Sequence, residues 1–211
     1  GVIPRALGLL FQKAEEAKTA GWAFEFEASL LEVYNEELRD LLPDSTGPAP
    51  PTSGLALQHG LKSDATTLLA KATAARTTAK TSCNEHSSRS HSICVLRVSG
   101  FHQESGERVR GCLSLVDLAG SERIKESGVS GARLKEAQSI NKSLSALGDV
   151  IAALAAKEKH IPFRNSKLTS LLQPSLGGAS KALMVVNVAA DPSNWNESLC
   201  SLRFAQKVSG V

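Results

Sequence analysis

Apolar positions along this 211-residue chain fall into two rhythms, one of three to four residues and one of two. Behind Pro4, the stretch from Arg5 to Ala20 carries Leu7, Leu10, Phe11 and Ala14 at helical spacing, which predicts a helix that Gly21 stops. Phe24, Phe26 and Ala28 then alternate with Glu25 and Glu27, predicting a strand that continues through Leu30 to Tyr34. Glu36 to Leu42 reads as a short helix ended by Pro43, and the proline-rich stretch 44–54 as a flexible surface loop that cannot build a core. The Ala, Leu and Lys content of Thr66 to Ala79 favours helix. Ser92 to Val98 and Cys112 to Asp117 read as strands, the second apolar enough to be buried, with a polar hairpin-like connection over His102 to Arg110. The clearest element is a long helix from Ala132 to Ala156, in which Ile140, Leu144, Leu147, Ile151 and Leu154 recur on one side. A helix over Ser166 to Leu172, a buried strand over Ala182 to Val188 and a last helix from Asn196 to Val208 complete the pattern. Alternating strands and helices predict an α/β fold, a central sheet covered on both faces.

Composition changes this picture little. With 42% hydrophobic and 21% charged residues the chain can bury a sizeable core, and it reads as one globular domain. Its apolar runs fall far short of the roughly 20 residues of a membrane-spanning helix, and no signal-like segment opens it, so no membrane insertion and an intracellular setting are expected. Cys83, Cys94, Cys112 and Cys200 lack metal-ligand spacing and are expected to be reduced and mostly buried. A net charge of +3 does not point to nucleic acid.

Two segments carry chemistry. Asn84 to His91 (NEHSSRSH) places two imidazoles, a guanidinium and several hydroxyls on one loop; by itself it also reads as a polar turn of capping serines. Cys112 to Glu122 (CLSLVDLAGSE) is an apolar strand ending in Asp117, where many P-loop nucleotidases place a magnesium-shell carboxylate, followed by Gly120, where a backbone N–H can approach a phosphate closely; by itself this pattern fits an ordinary strand end equally well.

Together and in this order, NEHSSRSH and DLAGSE resemble the switch I and switch II segments of kinesin motor domains. The resemblance extends to 32–36 (EVYNE), 140–148 (INKSLSALG), 160–169 (HIPFRNSKLT) and 197–205 (ESLCSLRFA), and is nearest to the C-terminal-motor subfamily, which is mostly minus-end-directed. It implies a P-loop NTPase-like fold with a mixed central β-sheet, of which this chain is the C-terminal two-thirds, incomplete at its N-terminus. ATP with Mg²⁺ is the implied cofactor, microtubules the implied partner, and the cytoplasmic cytoskeleton, including the spindle, the implied location. Ser87 and Ser88 would contact the magnesium and the γ-phosphate region, Asp117 would hold a magnesium-bound water, and Gly120 would sense the γ-phosphate. Arg89 and Glu122 would form the salt bridge that closes the switches, with Glu122 also relaying a proton from the attacking water.

On the long helix, Lys135, Gln138, Lys142 and Asp149 fall largely opposite the apolar stripe. Any two such lysines also fit an ordinary solvated helix face. The resemblance makes Lys142, Arg164 and Lys167 contacts to acidic tubulin, with Lys135 and Lys125 as weaker candidates. No G-x-x-x-x-G-K-[ST] run, the P-loop of the family, occurs among the 211 residues. This leaves two expectations: part of a microtubule-stimulated ATPase motor, or a non-hydrolytic microtubule-binding protein. In the family the P-loop strand lies between those matching Leu113 to Asp117 and Ala182 to Val188, so the chain alone is expected to be marginally stable. The segment Leu55 to Asp64 also looks shorter than its family counterpart.

Overall fold

The computed structural model describes residues 2–41, 61–62, 89–121 and 132–209. The predicted loop at 44–54, the helix over Thr66 to Ala79, and Cys83 lie outside them. The chain divides into two compact units, one formed by 1–32, 39–87 and 91–118, the other by 33–38, 88–90 and 119–211.

The first unit is a sheet with a helix on it. Helix α1 (Val2–Lys18) buries Leu7, Phe11 and Ala14, the positions its spacing marked. Strands β1 (Trp22–Tyr34), β2 (Glu37–Asp40), β3 (Leu61–Lys62), β4 (His91–His102) and β5 (Arg108–Asp117) follow, in the order β2-β1-β4-β5 with β3 against β1. Leu7 and Phe11 meet Ala28 and Leu96 of the sheet, with Phe26, Val98 and Leu113 around them, and the Phe11 ring stands edge-on to Phe26 at 4.6 Å. Each such large apolar side chain contributes about 1.5–3 kcal/mol on full burial. β1 and β4 are inner strands, and Ala28 to Leu31 are all buried, as are Ile93 to Leu96. β4 and β5 pair antiparallel from Ser92 opposite Asp117 to Phe101 opposite Arg108. Their ladder closes over Gly100, where an added Cβ would stand 2.6 Å from the Phe24 ring and 2.7 Å from Val109.

Three expectations are corrected. Glu36 to Leu42 is not a helix: Asn35 and Glu36 adopt left-handed φ of 52° and 59°, the two-residue turn of a hairpin, and β2 returns along β1 with Leu41 N–H donating to Leu30. β5 is not buried: Cys112 and Val116 are exposed because no strand flanks its far edge among the described residues. Ala182 to Val188 is neither strand nor buried; Leu183 is 91% and Val185 75% exposed. Its β-branched content favours a ladder, but a strand exists only when a neighbour accepts its hydrogen bonds.

The second unit is helical. Helix α2 (Ala132–Ala155) buries Ser143, Ala146, Leu147, Val150, Ile151 and Ala153 and packs on α3 (Lys167–Leu176) and α4 (Trp195–Val208). Gly148 faces the Phe204 ring of α4.

Candidate functional site

Arg89 and Ser90 lead into β4, and the Arg89 guanidinium turns to α2. Its Nη1 donates to Oε2 of Glu136 at 2.9 Å, and the Tyr34 hydroxyl donates to the other carboxylate oxygen at 3.0 Å. The Glu136 side chain is 9% exposed and that of Arg89 30%. An acid this buried is stable only with its oxygens engaged; removing one partner of such a pair costs about 3–5 kcal/mol. Glu136 stands four residues before Ile140 and seven before Ser143, on the inward face of the helix. Sequence reasoning missed it, although a single acid at the spacing of an apolar stripe is the signal that marks it.

Of the residues expected at the site, Ser87, Ser88, Glu122 and Lys125 lie outside the described residues, and the Arg89–Glu122 pair with them. Asp117 ends β5 with an exposed carboxylate, and Gly120 follows half-buried after the buried Ala119. Asp117 lies in the first compact unit, Gly120 and Arg89 in the second. Among the described residues no three His, Cys, Asp or Glu side chains cluster as a metal cage. An exposed carboxylate at a strand end fits a magnesium ion, which keeps waters and takes phosphate oxygens instead of a full protein shell.

The basic residues stand where helical packing puts them. Lys135 and Lys142 are exposed on α2 while Leu147 and Ile151 are buried. Ahead of α3, Phe163 to Asn165 form one tight 3-10 turn, pinned by the buried Phe163 ring and by the hydroxyls of Thr169 (2.7 Å) and Ser170 (2.9 Å) donating to its carbonyl. Ser166 caps α3 by accepting from the Thr169 N–H at 3.1 Å, and Thr169 Oγ1 accepts from the Ser166 N–H in return. With Leu168, Leu171 and Leu172 buried, Arg164 and Lys167 are left exposed. Glu36 Oε2 accepts the Lys167 backbone N–H at 3.0 Å, a carboxylate at a helix N-terminus worth about 0.3–1 kcal/mol.

Beyond this geometry, the family model described as "Kinesin motor domain" matches residues 1–211. The chain belongs to the kinesin motor domain family. It is 48% identical over 230 residues to the kinesin-like protein KIN-14M of Arabidopsis thaliana, covering 99% of this chain and 31% of that protein. To the kinesin-like protein KAR3 of Saccharomyces cerevisiae it is 46% identical over 235 residues, 100% of this chain and 32% of that protein. The chain thus spans about a third of the length of the curated relatives it matches. Both alignments are longer than the 211 residues, so these relatives carry residues inside the matched span that this chain lacks. Among solved structures, the C-terminal motor and motor homology domain of Kar3Vik1 superposes with a TM-score of 0.85 at 45% identity, over 99% of this chain and 57% of that one. The motor domain of Saccharomyces cerevisiae KAR3 superposes with a TM-score of 0.81 at 45% identity, over 99% of this chain and 67% of that one. The expected α/β kinesin fold and the nearness to the C-terminal-motor kinesins are borne out. No helix among the described residues is long and apolar enough to cross a membrane.

Proposed function

We propose that this kinesin chain supplies the switch segments and the filament-binding surface of a KAR3-type, ATP-driven microtubule motor. The observation that carries the reading is the Arg89–Glu136 pair, which joins the end of the NEHSSRSH segment to the helix that presents Lys135 and Lys142. ATP, bound with Mg²⁺, supplies the phosphoanhydride to be cleaved. Ser87, Ser88 and Asp117 would hold the ion and its waters, the Gly120 N–H would serve the γ-phosphate, and Arg89 with Glu122 would close the two segments over it. Glu122 passes on the proton of the attacking water. Lys142, Arg164 and Lys167, with Lys135 and Lys125 beside them, attract the acidic surface of tubulin. Minus-end direction and a place on cytoskeletal microtubules, the spindle included, follow the subfamily.

A second reading has its own support: without a G-x-x-x-x-G-K-[ST] run, these 211 residues by themselves lack a phosphate cradle. On that reading the chain holds microtubules and hydrolyses nothing. Steady-state ATP turnover with and without microtubules, measured on the full-length protein containing these residues, decides between the two. Microtubule-accelerated turnover that Glu122→Ala lowers by at least about a hundredfold bears out the motor. Filament binding without turnover bears out the second reading.

A further inference from the structure

We propose that His102 is an acid-sensitive clasp: with its imidazole neutral it ties the tip of the β4–β5 hairpin to the turn that follows α1, and a proton on Nδ1 releases the tip. This goes beyond the motor reading and does not depend on it.

The ring sits between two backbone segments. The Ala20 carbonyl lies 2.7 Å from Nε2, while the Ser105 backbone N–H lies 3.1 Å and the Ser105 hydroxyl 3.0 Å from Nδ1. A carbonyl only accepts and a backbone N–H only donates, so Nε2 carries the ring proton and Nδ1 carries none. The hydroxyl, meeting an acceptor, donates as well. The seat is tight: the Trp22 ring stands edge-on at 5.1 Å, and a Cβ at Gly21, whose φ is 86°, would come within 3.1 Å of Nε2. Beside the ring, the Gln103 N–H donates to the Gly21 carbonyl at 2.9 Å, and the tip is closed by the His102 N–H on the Glu107 carbonyl and the Gly106 N–H on the His102 carbonyl.

A proton acts differently on the two sides of the ring. Towards Ala20 the cationic ring still donates, now through a charge-assisted bond. Towards Ser105, Nδ1 turns from acceptor to donor. The hydroxyl can rotate and accept from it, but the Ser105 N–H cannot, and two N–H groups facing each other across 3.1 Å repel. The turn therefore moves away, and it has room, because nothing stands within 4 Å of a Cβ built on Gly106. Of the charged groups on the surrounding elements, Lys18 of α1 pairs with Glu15, and Glu104 and Glu107 of the hairpin are exposed to water, which weakens their pull on the ring. Arg108 turns to the other face of the sheet, over the Phe101 ring at 5.5 Å, and Glu25 of β1 alternates onto that face too.

The test is residue-resolved hydrogen exchange of the full-length protein at about pH 7.5 and about pH 5.5, each rate divided by that of an unstructured peptide of residues 99–109 at the same pH. In the wild type the Ser105 amide should lose protection by at least about fivefold at the lower pH, while the Gln103 amide stays within about twofold. An unchanged Ser105 amide overturns the inference. So does a parallel loss at Gln103 and Ser105, the mark of a general loosening such as protonation of His91 brings. His102→Gln keeps a side-chain donor for Ala20 but takes no proton. Its response to pH at Ser105 should fall below half of the wild-type value, and a larger one overturns the inference. Ser105→Ala removes only the hydroxyl and keeps the backbone N–H, so the amide at position 105 should respond at least as much as in wild type; a lost response there overturns the backbone account. If His102→Gln does not fold, the wild-type contrast between Ser105 and Gln103 and the Ser105→Ala response decide by the same criteria.

Discussion

His91 opens β4 as a buried residue, 2% exposed, and that burial lowers its pKa from 6.5 to about 4. The unfolded chain takes up a proton on this imidazole near pH 6.5, whereas the folded chain resists until about pH 4, so between those values the unfolded state binds more protons. His91 therefore makes stability fall as pH drops from about 6.5 to about 4, and its effect levels off outside that window. Thermal midpoints recorded at intervals from pH 7.5 to 4 should decline less steeply in His91→Gln than in wild type across that range; parallel curves would remove the role. At this scale a residue's type limits its surroundings: Arg89 was expected to pair with Glu122, which lies outside the described residues, and among the described residues it pairs with Glu136. Its partner at Glu136 was not legible, because which acid reaches a guanidinium across 47 positions depends on how the helix docks, not on local pattern.

Among the elements, α2 is the one whose period was plainest, and it runs from Ala132 to Ala155 with its lysines exposed as predicted. An exposed lysine on a packed helix gains little within the fold, so its removal should act on binding alone. Lys142→Ala combined with Arg164→Ala should weaken microtubule affinity by at least about tenfold at low salt and leave the thermal midpoint near wild type. Co-sedimentation across a salt series checks this: wild type should lose affinity steeply with salt and the double variant should not, and identical salt slopes would end the electrostatic account. The misread elements share a cause. Glu36 to Leu42 has helix-forming residues, yet the left-handed pair at Asn35 and Glu36 turns it into a hairpin, and pairing with β1 outweighs propensity. The apolar strand β5 and the run Ala182 to Val188 were read as buried from composition, but burial depends on what lies beside a segment.

For the molecule as a whole, the exposed apolar residues matter most. Leu183, Val185, Val188, Trp195 and Leu202 are each more than half exposed in the helical unit, while Val109 and Val116 are 39% and 37% exposed on β5. Apolar surface left in water forfeits about 25 cal/mol per Å² of stabilisation and invites association. The 211-residue chain on its own should therefore bind an apolar fluorescent dye in its native buffer and show tryptophan emission characteristic of a water-exposed indole from Trp195. A sharp, cooperative melt at an ordinary mesophilic temperature with no dye binding would refute this. The sequence by itself determined the kinesin family, the helices α1, α2 and α4, the strands β1 and β4, and the motif residues, because periodicity and local motif chemistry are properties of neighbours in sequence. Only the tertiary structure decided the β1–β2 hairpin, the open edge of β5, the exposure of 182–188 and the seating of Glu136 between Arg89 and Tyr34. Those depend on which distant segments share a ladder or a buried charge, and the free energy of such contacts is set by geometry that no local pattern encodes.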